Sequence, residues 1–211
     1  MSQPGRDTIF ALSSGLPPAG IAVVRITGPH AGPALESLAS RRPVPRRASY
    51  RPICDETGML LDHALVLWCP GPATATGEDL AELHLHGGRA VVASVLAALG
   101  RMAGLRAATE GEFTRRAFEN GRIDLSEAEG LADLLAAETE GQRRSALALA
   151  EGELGRRVAG WQKELLVLSA QVEAALDFSD EDDVGEHVDL QDPVRRLADA
   201  MSALLAEPGA E

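Results

Sequence analysis

The stretch Thr76-Gly-Glu-Asp-Leu-Ala-Glu-Leu-His-Leu-His-Gly-Gly88 decides how this chain is read. From Leu80 to Leu85 its residues alternate in character. Leu80, Glu82, His84 and His86 fall on one face, and Ala81, Leu83 and Leu85 fall on the other. That is a strand with one apolar side and one polar side. The pair Gly87-Gly88 closes it and lets the backbone approach another surface.

Outward from this strand, the first 108 residues read as short strands interleaved with helices. Thr8–Leu12 and Ile21–Ile26 are β-branched runs bounded by Gly and Pro, and Ala64–Trp68 and Leu105–Ala108 are further strand candidates. Pro33–Ser40 reads as a short helix. Arg41–Arg51 reads as a basic, Pro-containing connection. Arg89–Met102 has helical apolar spacing, with Gly104 placed to stop it. After residue 108 the pattern changes. Glu112–Glu119 is a short helix ended by Asn120-Gly121, and Ser126-x-x-Glu129 has the form of a capping box opening the next helix. Leu147, Leu154, Val158, Trp161, Leu165, Leu168, Val172 and Leu176 recur at helical steps, which predicts one long amphipathic helix. An acidic loop, Ser179–Asp189, leads to a final helix capped by Asp192-Pro193 and ending at Pro208-Gly209. The expected class is therefore α+β: a mixed-sheet domain followed by an all-α segment of three helices. The apolar seam of those helices needs cover from further sequence or a second copy of the chain.

Charge divides the chain at nearly the same place. Residues 1–125 hold 13 Arg+Lys against 12 Asp+Glu, a net of +1; residues 126–211 hold 7 against 20, a net of −13. This marks a boundary near residue 125, and the acidic half is unsuited to gripping a phosphate backbone. Cys54 and Cys69 sit in no metal spacing and read as reduced, partly buried thiols of a cytosolic protein. The polar N-terminus gives no signal peptide, and no apolar run is long enough to span a bilayer. Lys163, the only lysine, follows Gln162 within a predicted helix, so the 211 residues contain no G-x-x-x-x-G-K-S/T phosphate loop.

Several residues admit both a functional and a plain reading. Arg25, inside Ala22-Val-Val-Arg-Ile26, is either a solvated face residue or a guanidinium paired with a carboxylate or phosphate. Glu82 is either a solvent-side carboxylate or an acceptor for paired N–H donors such as an aminopyrimidine edge. Arg122, after the Asn120-Gly121 turn, is either a solvated loop residue or a contact for an anion. His84 and His86 have the spacing of a metal pair on a strand, but no third ligand is near in sequence, so no metal site is expected. The acidic run Asp180-Glu-Asp-Asp183 reads as a solvated loop, not an EF-hand.

Three segments in order carry a family resemblance: Gly20-Ile-Ala-Val-Val-Arg-Ile-Thr-Gly28, the Thr76–Gly88 stretch, and Glu110-Gly-Glu-Phe-Thr-Arg-Arg-Ala-Phe-Glu-Asn-Gly-Arg-Ile-Asp-Leu-Ser-Glu-Ala-Glu129. Together they resemble the N-terminal part of the MnmE (TrmE) family of tRNA-modifying GTPases. The resemblance implies an α+β folate-binding and dimerisation domain over residues 1–120, similar to the folate domain of aminomethyltransferases. It implies the first part of a helical domain over 121–211, before the point where the family's GTPase domain is inserted. On this view the chain is a fragment that lacks the GTPase domain and the C-terminal Cys-x-Gly-Lys motif, and it does not hydrolyse GTP. Full-length members form homodimers and, with the flavoprotein MnmG, modify carbon 5 of the wobble uridine in certain cytoplasmic tRNAs. The one-carbon donor is a tetrahydrofolate derivative, 5-formyl- or methylene-tetrahydrofolate. GTP, potassium and magnesium enter through the GTPase domain. By motif the folate contacts are Arg25, Glu82 and Arg122. Two departures stand out: Pro17-Pro18 is followed by Ala19-Gly20 where many members carry Gly-Arg-Gly, and lysine often stands where Arg122 is. The competing expectation is a dimerisation scaffold without functional folate binding.

Overall fold

A computed structural model describes residues 7–177 and 190–206. The acidic loop Ser179–Asp189, the Asp180–Asp183 run within it, and Pro208-Gly209 lie outside the described residues. The chain divides into two compact units, Met1–Ile123 and Asp124–Glu211.

The first unit is a six-stranded mixed sheet. Its strands are β1 (Thr8–Leu12), β2 (Ile21–Thr27), β3 (Ser49–Cys54), β4 (Leu60–Cys69), β5 (Leu80–His86) and β6 (Leu105–Ala107). They lie in the order β3-β4-β5-β2-β1-β6. Only the β1–β6 pair is parallel; the other neighbours are antiparallel. Helices α1 (Ala31–Ala39) and α2 (Arg89–Gly100) cover one face. There Val24, Ile26, Val66, Leu83 and Leu85 pack against Leu35 and Leu38 of α1 and Val95 and Leu99 of α2. Alternation puts Arg25, Glu82 and His84 on the opposite side of the same strands.

Arg41–Arg51 is not wholly a connection, because its end belongs to β3. Pro52 conceals that strand from a sequence reading. It is tolerated because β3 is at the sheet edge, where a missing N–H breaks no ladder on the outer side.

Helix α3 (Glu112–Glu119) is tied to the sheet unit by an ion cluster centred on two buried residues, Arg116 and Glu112. Arg116 donates to the Asp7 backbone oxygen at 2.8 Å, to Asp7 Oδ1 at 2.8 Å, to Glu112 Oε1 at 3.2 Å and to Glu78 Oε2 at 3.3 Å. Arg106, from β6, donates to Glu112 Oε2 at 2.8 Å and also to Asp7. Hydrogen bonds from Arg106 hold the Glu112 carboxyl far below its usual range; burial opposes this, and the Thr109 N–H and Arg116 reinforce it. One cluster thus joins the start of β1, the strand β6, the segment before β5, and α3.

The second unit contains four described helices, not three: α4 (Leu125–Ala136), α5 (Glu140–Ala150), α6 (Glu153–Asp177) and α7 (Gln191–Ala206). The capping box that opens α4 is Asp124-x-x-Glu127, two residues earlier than the Ser126-x-x-Glu129 pattern. Glu127 N donates to Asp124 Oδ1 at 2.8 Å, and Asp124 N donates to Glu127 Oε2 at 2.6 Å. The Ser126 hydroxyl donates to Asp124 Oδ1 instead of capping. Asp124 takes the extended backbone that a cap needs, whereas Ser126 is already helical. A second box, Thr139 with Gln142, opens α5. The long seam from Leu147 to Leu176 is broken at Gly152, whose φ of +75° ends α5 and redirects the chain. Gly130 allows α4 and α5 to meet closely, since a Cβ there would lie 2.5 Å from the Ala150 nitrogen. Of the seam within α6, Leu168 is buried, while Leu165, Val172 and Leu176 remain exposed. No described helix is long and apolar enough to cross a membrane.

The cluster around Arg116 makes a stability prediction. Arg116→Ala removes the buried guanidinium shared by Asp7, Glu78 and Glu112, leaving Glu112 to Arg106, and should cost about 3–5 kcal/mol in denaturant unfolding at neutral pH. Because the folded Glu112 pKa is depressed, its contribution is complete above the unfolded value of 4.5 and is lost as the pH falls below it. Wild type should therefore lose more stability between about pH 5 and about pH 3 than Glu112→Gln does. Equal losses in the two proteins would refute the assignment.

Candidate functional site

The site is built on the β2–β5 pair. Register places Arg25 directly opposite Glu82, so two long side chains on the face opposite α1 and α2 meet. Arg25 Nε donates to Glu82 Oε1 at 2.9 Å. Two residues along the same face of β5, His84 Nε2 lies 3.0 Å from Glu82 Oε2. The carboxylate is thus gripped at both oxygens from two strands. On its far side, β4 sets Leu67 opposite Glu82 and Leu65 opposite His84, giving an apolar flank.

Glu82 is largely sheltered, with 20% of its side chain accessible, while 45% of Arg25 is open to solvent. Burial alone would raise the Glu82 pKa. The His84 hydrogen bond, the Arg25 charge and the Arg25 hydrogen bond outweigh it, and the group is held below the usual carboxylate range. An ionised carboxylate whose oxygens each retain a free lone pair is an acceptor for a pair of N–H donors.

Arg122 lies at the end of this strand pair. It stands two residues past Asn120, the cap of α3, in a Schellman turn: its N–H donates to Ala117 O at 2.8 Å, and Gly121 N donates to Phe118 O at 2.9 Å. Gly121 supplies the left-handed residue at φ +64°. The side-chain stem crosses Gly77, where a Cβ would fall 3.1 Å from Arg122 Cγ. Asn120 Nδ2 holds the same turn through Thr76 O at 2.6 Å. From Gly77 the chain passes through Glu78 and Asp79 into Leu80, two residues before Glu82. Thr27 Oγ1, two residues after Arg25, meets Thr76 Oγ1 at 2.6 Å. The structure therefore joins Arg25 to Glu82 directly. It sets Arg122 over the adjoining turn, exposed and without a hydrogen bond or ion pair to either.

The two histidines of the strand have separate carboxylate partners. His84 pairs with Glu82. His86 faces Asp62, with its backbone N–H donating to Oδ2 at 2.8 Å and its Nδ1 lying 2.7 Å from Oδ1. Gly87 permits a backbone approach, because a Cβ there would lie 2.3 Å from Ala19 O. Sequence reasoning missed the role of His84 beside Glu82, and it missed Asp7, Glu78, Arg106, Glu112 and Arg116 altogether. The signals were present: period-two spacing for His84, and the i, i+4 acid–base pair Glu112/Arg116 for the cluster.

A mixed sheet carrying an ion-paired carboxylate on the face opposite α1 and α2, followed by an all-helical unit, places the chain among two-unit α+β proteins. Comparison with known proteins gives it a lineage. Residues 8–122 match the family described as GTP-binding protein TrmE N-terminus, and residues 125–210 match the MnmE helical domain. The chain belongs to the MnmE (TrmE) family. A protein of Novosphingobium aromaticivorans named tRNA modification GTPase MnmE is 70% identical over 180 residues, covering 85% of this chain and 41% of that protein. Proteins of the same name from Rhizorhabdus wittichii and Erythrobacter litoralis are 60% and 59% identical over 96% and 97% of this chain, and over 50% and 49% of their own length. The chain thus spans about half the length, or less, of these relatives.

The electrostatics can be checked without a ligand. In Arg25→Met the Glu82 carboxyl loses a charge and a hydrogen bond that lower its pKa, while the opposing effect of burial remains. Carbon-13 NMR titration should show the Glu82 pKa rising in the variant. A value equal to that of the wild type would contradict the pairing.

Proposed function

We propose that this chain is the reduced-folate-binding and dimer-forming part of a tRNA-modifying GTPase. The observation that carries the reading is the Glu82 carboxylate. It is sheltered, ionised, held at both oxygens, and set on the sheet face opposite the one packed by α1 and α2. The pterin ring of a tetrahydrofolate presents an amino group and a ring N–H side by side, which suits such an acceptor. Arg25 orients Glu82, and Arg122, held over the Gly77 turn, is suited to polar or anionic parts of the same ligand. A bound tetrahydrofolate, as its 5-formyl or methylene form, would supply a one-carbon unit.

In the whole protein this unit serves modification at carbon 5 of the wobble uridine of certain tRNAs in the cytoplasm, with the flavoprotein MnmG as partner. GTP, magnesium and potassium act at a GTPase domain. No phosphate-loop sequence occurs in these 211 residues, so nucleotide binding is assigned outside them.

Calorimetric titration with 5-formyl-tetrahydrofolate tests the folate reading. Wild type should bind. Glu82→Ala should weaken binding by about 1–3 kcal/mol, the loss expected when buried donors lose a charged acceptor. Absence of heat and of any thermal shift with reduced folates would overturn it.

A scaffold reading is favoured by a separate observation. Leu165, Leu166 and Val167 of α6 are more than half exposed, an apolar run that monomers seldom leave open. Light scattering at micromolar concentration should give about twice the 22.2 kDa chain mass, and Leu165→Glu with Leu166→Glu should release monomers if this run forms the contact. A mass of 22.2 kDa for the unaltered chain would exclude association at that concentration.

A further inference from the structure

We propose that His84 is the positioning residue for Glu82, fixing the plane of its carboxylate so that both oxygens face the open side of the sheet. This rests on the reading of Glu82 as a ligand acceptor. A glutamate carboxylate turns easily about its last torsion, which has no sharply staggered wells. Arg25 at Oε1 fixes one oxygen only. The second donor, His84 Nε2 at 3.0 Å from Oε2, removes the remaining rotation. The two anchors differ in origin: Arg25 is the cross-strand partner of Glu82, while His84 is its same-face neighbour on β5.

The chemistry of the pair fixes which nitrogen bears the proton. An ionised carboxylate only accepts, so Nε2 of His84 must carry hydrogen. The ring's own cross-strand neighbours, Val23 on β2 and Leu65 on β4, are apolar and offer no competing partner. Each carboxylate oxygen spends one lone pair on an anchor and keeps another for the ligand, which defines the ligand class as one with two adjacent N–H donors. His84 is partly exposed and stands on the face opposite the packed core, so its loss leaves the core intact.

The test has two arms on the full chain. In the first, nitrogen-15 NMR of the ligand-free protein should show His84 Nε2 protonated, and Glu82→Gln should shift that signal. An unprotonated Nε2, or a signal indifferent to Glu82→Gln, would overturn the proposal. In the second, calorimetry with 5-formyl-tetrahydrofolate should show His84→Ala binding about tenfold more weakly, the equivalent of one hydrogen bond to a charged group, with the unfolding midpoint unchanged. His84→Gln, whose amide N–H can replace the Nε2 donor, should recover most of the affinity. Binding by His84→Ala as tight as that of wild type, or no recovery by His84→Gln, would also overturn it. If wild type fails to bind the folate, the folate reading falls and the ring-nitrogen arm alone decides the role of His84.

Discussion

The register between β2 and β5 is the constraint on which the rest depends. It runs without a break from Ile21 opposite His86 to Thr27 opposite Leu80. Because side chains alternate strictly, a slip of β2 by one residue would carry Arg25 into the face packed by α1 and α2, away from Glu82. It would also turn Val24 and Ile26 out to water, at roughly 1.5–3 kcal/mol for each large apolar side chain. The core therefore enforces the geometry of the polar face. The site's precision is a by-product of packing on the other side of the sheet.

What the register does for Arg25 and Glu82, the segment before β5 does for Arg122. That segment is pinned from three directions: Thr27 to Thr76, Asn120 to the Thr76 oxygen, and Arg116 to Glu78. Asn120 and Arg122 belong to the turn that ends α3, and α3 is anchored through Glu112 and Arg116. Placement of Arg122 thus depends on an ion cluster that includes Asp7, more than a hundred residues earlier. A loop arginine would otherwise be free to wander. Here its backbone is closed by a Schellman turn, and its stem lies across a glycine at φ +77°.

The sheet was legible in the sequence where alternation was clean. β1 and β5 stand where the pattern puts them, and the apolar and polar faces of β5 are as the spacing demands. β3 was hidden because Arg51 and Pro52 interrupt an edge strand that buries little besides Ile53. In the helical unit, periodicity ran across a break that one glycine imposes. Leu147 and Leu154 are seven residues apart in either case, so spacing alone cannot separate one helix from two. Capping was misassigned because Asp124 and Ser126 both have side chains that suit a cap, and only the backbone angle at Asp124 decides between them. The meeting of Arg25 with Glu82 needed a pairing between strands 57 residues apart, which no local pattern contains.

The two ion clusters of the sheet unit differ in the one property that determines their use. Arg116 and Glu112 are buried, so removing either leaves the rest of the cluster with unbalanced charge away from water. That cluster is committed to the fold. Arg25 and Glu82 are partly solvated, and pairs of that kind contribute only about 0–1 kcal/mol to stability. Holding a sheltered carboxylate ionised between two donors therefore gains little for folding. What the arrangement provides is an acceptor of fixed direction, on a rigid strand, whose ordering cost is met by the sheet before a ligand arrives. On the proposed reading, a ligand that brings its own N–H donors would meet an acceptor that has already lost its freedom to turn.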